Sequence, residues 1–373
     1  MNIYLKIEND EICVLCNVQV SKPSFTFALC HSLSVKRIEN NGIPAKVESI
    51  SSLQTEFRPA MKQYNIGELE KGNLLIEYGG RLDGWFLFMQ EDIYHFSFYN
   101  SWYPVLLEQE ESYEIDLRCN ECYELIQGKY DLQKRVWHYS TVGQTFVDCN
   151  ILLINKEKAH KCGMENAAVW YFQDQQSEIA EKFANIVTEA NVFYNNLYGY
   201  NNQNGSTIVL LPEKYKGMGA YQRTGLTVFA DTNLNLEWIT HVLCHELGHA
   251  YANGAECTTW EDWLNETHAE WNALLYELEN RPQFFQRLME TKEKNYQGNY
   301  LVKPDGENRP DNVHETGTLI YYEIYKQMGK EAIVNLLKTF DGMKVKNTSY
   351  FLKALREKEP NLYRLLALKA NLQ

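Results

Sequence analysis

The stretch His241-Val-Leu-Cys-His-Glu-Leu-Gly-His-Ala250 contains His-Glu-x-x-His at His245, Glu246 and His249. Residues four apart on a helix lie one turn above each other on one face, so His245 and His249 can offer two imidazoles to one metal ion. Glu246 adjoins the first of them, within reach of a water that the metal polarises, where a carboxylate serves as general base. The flanks predict the helix that this pattern needs. Asn235 is an N-cap before Leu236, Trp238, Ile239, Val242, Leu243 and Leu247, whose spacing makes a buried stripe, and Asn253-Gly254 supplies the stop.

A tetrahedral catalytic zinc takes three protein ligands and keeps one position open. The extended motif with a third histidine six residues on is excluded, because Ala252 and Ala255 stand where its glycine and histidine belong. Downstream lies Trp263-Leu-Asn-Glu-Thr-His-Ala-Glu-Trp271, on a second helical stretch from about Glu261 to Glu279. Glu266 and Glu270 share one face of it, and His268 points away from both.

His245-Glu-x-x-His249 followed by Trp-Leu-Asn-Glu-x-x-Ala resembles the gluzincin peptidases, in particular the aminopeptidase N family. The resemblance implies Glu266 as third zinc ligand and Glu270 as a carboxylate that orients a zinc-bound histidine from behind. Only sixteen residues separate His249 from Glu266, two or three fewer than the family usually has. It further implies a substrate-facing edge strand in Gly219-Ala-Tyr-Gln-Arg-Thr-Gly-Leu-Thr-Val-Phe229, with Gly219, Ala220 and Gln222 as substrate-binding positions. The family has a glutamate for the substrate's free amine where this chain has Gln222, twenty-three residues before His245. A neutral amide loses the charge-assisted part of that contact. Gly163-Met-Glu-Asn166 spells most of the amine-binding motif far upstream and is read as coincidence; the competing reading gives the amine to Glu165. The family's oxyanion-donating tyrosine falls on His314, in Val313-His-Glu-Thr-Gly-Thr-Leu-Ile-Tyr-Tyr-Glu-Ile-Tyr325, and an imidazole can donate the same hydrogen bond. Tyr321 and Tyr322 are the alternatives for that role.

The rest of the chain fits a two-domain α+β protein. With 373 residues and 45% hydrophobic content it can bury a substantial core. Residues 1 to 163 read as a β-rich domain, with alternating runs at Glu11 to Val20, Ser24 to Cys30, Asn73 to Tyr78 and Ser112 to Leu117. Asn73-Leu-Leu-Ile-Glu-Tyr-Gly-Gly80 and Ser101-Trp-Tyr-Pro104 resemble landmarks of the family's N-terminal β-saddle. Residues 164 to 373 read as strand, helix and strands leading into the two metal-bearing helices, then a helical tail with Leu336, Leu337, Phe340, Phe351, Leu352, Leu355, Leu362, Leu365 and Leu366 on apolar faces. That order resembles a thermolysin-like catalytic domain. The large helical C-terminal domain of long family members has no counterpart, which predicts an open groove.

A net charge of −13, without a Lys/Arg run, argues against nucleic acid or an anionic membrane as partner. No apolar run approaches a membrane span, and Met1 to Asp10 reads as a strand and not a signal peptide, so a cytoplasmic location is expected. Of nine cysteines, Cys13/Cys16 and Cys119/Cys122 form Cys-x-x-Cys pairs. The first lies in a strand, where residues three apart face opposite sides; free thiols are the expectation, with a structural zinc as the alternative. The combined expectation is a peptidase with one zinc per chain, acting as an aminopeptidase or as an open-groove endopeptidase on peptide substrates. The alternatives are a zinc-binding protein that holds a peptide without cutting it, and a hydrolase of non-peptide substrates.

Overall fold

The computed structural model describes residues 1–55, 58–106, 112–142, 149–164, 167–200, 207–216, 218–223, 225–296, 302–303 and 306–372. The chain divides into two compact units, Met1–His160 and Lys161–Gln373. Glu165 lies outside the described residues.

Alternation builds the first unit. Ile3, Leu5 and Ile7 on strand Asn2–Glu8, and Ile12, Val14, Cys16, Val18 and Val20 on strand Glu11–Val20, are buried at every second position. These strands sit centrally in an eight-stranded sheet, flanked by Glu114–Arg118 on one side and Gly72–Gly80 on the other. All its pairs are antiparallel except Asn2–Glu8 with Glu114–Arg118. A three-stranded and a four-stranded sheet complete the β content. Trp102 is fully buried and donates its indole N–H to the Cys149 carbonyl at 2.7 Å. Cys13 is exposed and Cys16 buried, on opposite faces of one strand. Cys119 and Cys122 flank a turn in which Asn120 Oδ1 accepts from the Cys122 N–H at 3.1 Å.

The second unit opens with a five-stranded sheet whose order is His160–Cys162, Val169–Tyr171, Thr207–Leu210, Leu226–Phe229 and Ala220–Arg223. Helix α1 (Ser177–Tyr198) connects Val169–Tyr171 to the parallel strand Thr207–Leu210. Ala220–Arg223 is the outermost strand, antiparallel to Leu226–Phe229 with Gln222 opposite Thr227.

Helix α2 (Leu236–Gly248) starts where the sequence predicts, with Asn235 Oδ1 accepting from the Trp238 N–H at 3.0 Å. Its buried face is narrower than the predicted stripe: Ile239, Leu243 and Leu247 are buried, while Leu236 and Trp238 are 47% and 40% exposed. The inward arc has turned toward His241, Cys244 and Glu246, which the next helices cover. Nor does the helix run on to Asn253. It ends at Gly248, and Asn253 caps it from outside by donating Nδ2–H to the His249 carbonyl at 2.9 Å.

Helix α3 (Trp263–Asn280) is almost wholly buried between α2 and α5 (Val313–Met328). Two glycines make that closeness possible. A Cβ on Gly248 of α2 would meet the Ala269 carbonyl of α3 at 2.9 Å, and one on Gly317 of α5 would meet Thr267 Oγ1 at 1.8 Å. Helices α4 (Pro282–Asn295), α6 (Lys330–Asp341), α7 (Thr348–Lys358) and α8 (Pro360–Lys369) complete the unit, with Leu336, Leu337, Phe340, Phe351, Leu355, Leu362 and Leu366 in its core. No helix among the described residues is long and apolar enough to cross a membrane.

Candidate active site

Close packing of α2, α3 and α5 brings three imidazoles onto one carboxylate oxygen. Glu266 Oε2 lies 3.4 Å from His245 Nε2, 3.7 Å from His249 Nε2 and 2.9 Å from His314 Nδ1. Although these nitrogens are near, Oε2 is buried and accepts no hydrogen bond. The donor atoms of His245, Glu266 and His314 all fall within 4.8 Å of one another. The tightest trio therefore includes His314, which the sequence reading expects to be an oxyanion donor.

The two motif histidines are turned for a metal. His245 donates Nδ1–H to Glu270 Oε2 at 2.9 Å and His249 donates Nδ1–H to the Ala252 carbonyl at 3.2 Å. Each Nε2 is left facing Glu266. Two imidazole nitrogens, a carboxylate oxygen without a hydrogen bond and a neighbouring buried carboxylate suit zinc, so the donor set fits the ion that the motif implies.

Electrostatics run the same way. Burial opposes charge on Glu266, yet His249, His245 and His314 hold its carboxyl well below the usual carboxylate range. Burial likewise opposes protonation of His245, and Glu266, Glu270 and Glu246 together raise its pKa well above the ordinary value. A field that draws a proton onto His245 in the absence of metal is one that draws a cation when it is present. Glu246 is 8% exposed on the same helix.

Several groups around this centre went unread in the sequence. Arg309 donates Nε–H to Asp262 Oδ2 at 2.6 Å, while its other arm lies 3.5 Å from Glu266 Oε1 and 3.5 Å from His314 Nε2. It thereby takes the second oxygen of Glu266, Oε1, and leaves Oε2 to the histidines. Lys292 of α4 lies 2.9 Å from Glu270 Oε1. His241, one turn before His245, is buried with Nε2 3.3 Å from the same oxygen. Its four-residue spacing from His245 was the available signal; Lys292 and Arg309 come from distant segments that carry none.

The other expected residues sit elsewhere. His268 is buried in the core, donating Nδ1–H to the Leu264 carbonyl at 2.6 Å and accepting from the Tyr321 hydroxyl at 3.1 Å. That bond removes Tyr321 from the oxyanion role, and Tyr322 is stacked on Tyr325. Gln222 and Ala220 share one face of the edge strand that packs against α2, and Gly219 is exposed just before it with φ +71. No side-chain contact joins these three to the histidines among the described residues.

No family model matches the chain, and no curated protein matches it in sequence. Solved structures do match in shape. Native leukotriene A4 hydrolase from Saccharomyces cerevisiae aligns with a TM-score of 0.70 at 12% identity, over 98% of this chain and 65% of that one. The M1 zinc metallopeptidase from Deinococcus radiodurans aligns at 0.65 and 11% identity, over 99% and 92% respectively. Legionella pneumophila aminopeptidase A, in complex with aspartic acid, aligns at 0.68 and 12%, over 99% of this chain and 48% of that one. What they share is the fold. The chain spans less than two thirds of the yeast and Legionella proteins. A variant of the Deinococcus protein has been seen with a Tyr-Ser-Ala substrate bound.

Proposed function

We propose that the chain is a zinc-dependent peptidase, with one ion held by His245, His249 and Glu266. The observation that carries this reading is the convergence of imidazole nitrogens on a buried Glu266 oxygen that accepts no hydrogen bond, with Glu246 one residue from His245. Zinc held there supplies Lewis acidity, polarising a peptide carbonyl and bringing the pKa of a water down to about 7. Glu246 takes the proton from the attacking water and returns it to the departing amine. Glu270 fixes the His245 ring through Nδ1, and Arg309 holds Glu266 Oε1 so that Oε2 faces the histidines. The carbonyl oxygen gathers negative charge, and the donor best placed for it by sequence is His314, once its ring turns from Glu266. Peptide substrates are favoured by the likeness in fold to peptidases, one of them holding a tripeptide.

A mixed peptide pool, half with free and half with acetylated N-termini, tests the proposal when incubated with zinc-loaded wild type and Glu246→Gln and read by mass spectrometry. Loss of single residues from free N-termini, by wild type alone, identifies an aminopeptidase despite Gln222. Internal cuts that ignore acetylation identify an endopeptidase. A pool left intact while zinc stays bound overturns the peptidase reading in favour of a zinc protein that holds peptides without cutting, which the contact of His314 with Glu266 and the neutral Gln222 already favour as the second reading.

A further inference from the structure

We infer that His314 is a fourth protein ligand of the zinc, closing the site in its resting state against the water that hydrolysis needs. This rests on the reading of His245, His249 and Glu266 as zinc ligands, and it concerns how that site is regulated.

The geometry of the donors carries it. Zinc bonds of about 2.0–2.1 Å arranged tetrahedrally put neighbouring donor atoms about 3.3–3.4 Å apart. The distances from Glu266 Oε2 to His245 Nε2, His249 Nε2 and His314 Nδ1 are 3.4, 3.7 and 2.9 Å, scattered about that value. His314 shares with His245 and Glu266 a cluster whose donor atoms all lie within 4.8 Å of one another, and His249 approaches that cluster through Glu266 Oε2. The simpler account of a 2.9 Å separation is a hydrogen bond from Nδ1–H, but Oε2 accepts none. Donors gathered around one ion lie close together without hydrogen-bonding one another, and the separations here are of that kind.

Three imidazoles and a carboxylate complete a four-coordinate set, the pattern of a closed site, whereas a catalytic site keeps its fourth position open. Opening it requires only that one ring leave. His314 is the ring able to do so: it stands on the first turn of α5 with its side chain 48% exposed, against 13% and 18% for His245 and His249. The ring's Nε2 lies 3.5 Å from the Arg309 guanidinium, which can only donate to it, so binding the metal through Nδ1, with the proton on Nε2, requires that arm of Arg309 to turn away while its Nε–H keeps Asp262. A substrate entering the site therefore has to displace His314, and the free zinc protein is self-inhibited.

The test uses cobalt and zinc loaded into the full chain. The visible spectrum of the cobalt protein should change in His314→Ala, and added free imidazole should restore the wild-type spectrum by filling the vacated position. Zinc affinity, by competition with a chelator, should fall at least about tenfold in the variant. X-ray absorption on the wild-type zinc protein gives a count that depends on no variant: three imidazoles are expected. Two imidazoles in wild type, or a cobalt spectrum unmoved by His314→Ala whatever the affinity does, overturns the fourth ligand and leaves the zinc site standing. Failure of wild type to bind either metal removes both readings.

Discussion

Glu270 gathers three partners on two oxygens: His245 on Oε2, and His241 and Lys292 on Oε1. Burial works against its charge, and Lys292 with the two histidines holds its pKa well below the carboxylate range. Removing one member of such a buried pair strands the other. Lys292→Met is expected to cost about 3 kcal/mol in urea unfolding, and Lys292→Met/Glu270→Gln, which removes both charges, to recover part of it. A double variant no more stable than the single one would show that Lys292 acts by packing alone. His268 presents the opposite case, since burial among Phe340, Phe351 and Tyr321 pushes its pKa down to about 3. Unfolded, it takes up a proton near pH 6.5; folded, it stays neutral to about pH 3. Between those values the unfolded state binds the extra proton, so stability is lost as pH falls. The stability difference between wild type and His268→Leu should therefore narrow by about 2 kcal/mol from pH 7 to pH 5, and a constant difference would mean that His268 titrates normally. His268 could be set aside from the sequence because a helix of period 3.6 turns it away from Glu266 and Glu270. Lys292 could not be found there, since its partner lies on another helix.

At the scale of elements, the site depends on how near α3 lies to α2 and α5. The sequence announces the helices through their caps and periodicity, and strand Leu226–Phe229 and α1 fall within a residue of expectation. It does not announce closeness. Gly248 and Gly317, inside their helices, are where neighbouring helices touch. Gly317→Ala would drive a methyl into Thr267 Oγ1, with Thr267 Cβ at 2.9 Å and Trp263 at 3.1 Å behind it, in a buried β-branched side chain with nowhere to turn. The expected loss is about 2 kcal/mol in metal-free melts, and weaker zinc binding in a chelator competition, because α5 carries His314 and α3 carries Glu266. Undiminished stability and affinity would mean that the helices shift apart without disturbing the ligands. The misjudged burial of Leu236 and Trp238 has the same origin: a hydrophobic stripe gives the period of a helix, while the neighbours decide which part of the arc is covered.

Over the whole chain, what was readable was order: alternating strands, then strand, helix and strands, then the two helices that carry the proposed ligands and a helical tail. Local patterns repeat at the period of their element, so one sequence suffices to read them. The electrostatic surroundings of the site were not readable, since Lys292 arrives from α4 and Arg309 from the segment before α5, and only the packed core of the second unit brings them to α3. A metal held by residues of α2 and α3 exists only when that core is formed, so its binding energy adds to folding stability. Zinc at one hundred times its dissociation constant should add about 2.7 kcal/mol. For a unit of roughly 200 residues that raises the melting temperature by about 5–10 °C in calorimetry. EDTA should reverse the rise. A His245→Ala/Glu266→Ala variant, which loses the carboxylate that collects the imidazoles and one of those imidazoles, should melt at the same temperature with and without zinc. If wild type does so too, the histidines and Glu266 stabilise one another without a metal, and the buried Glu266 oxygen needs another explanation.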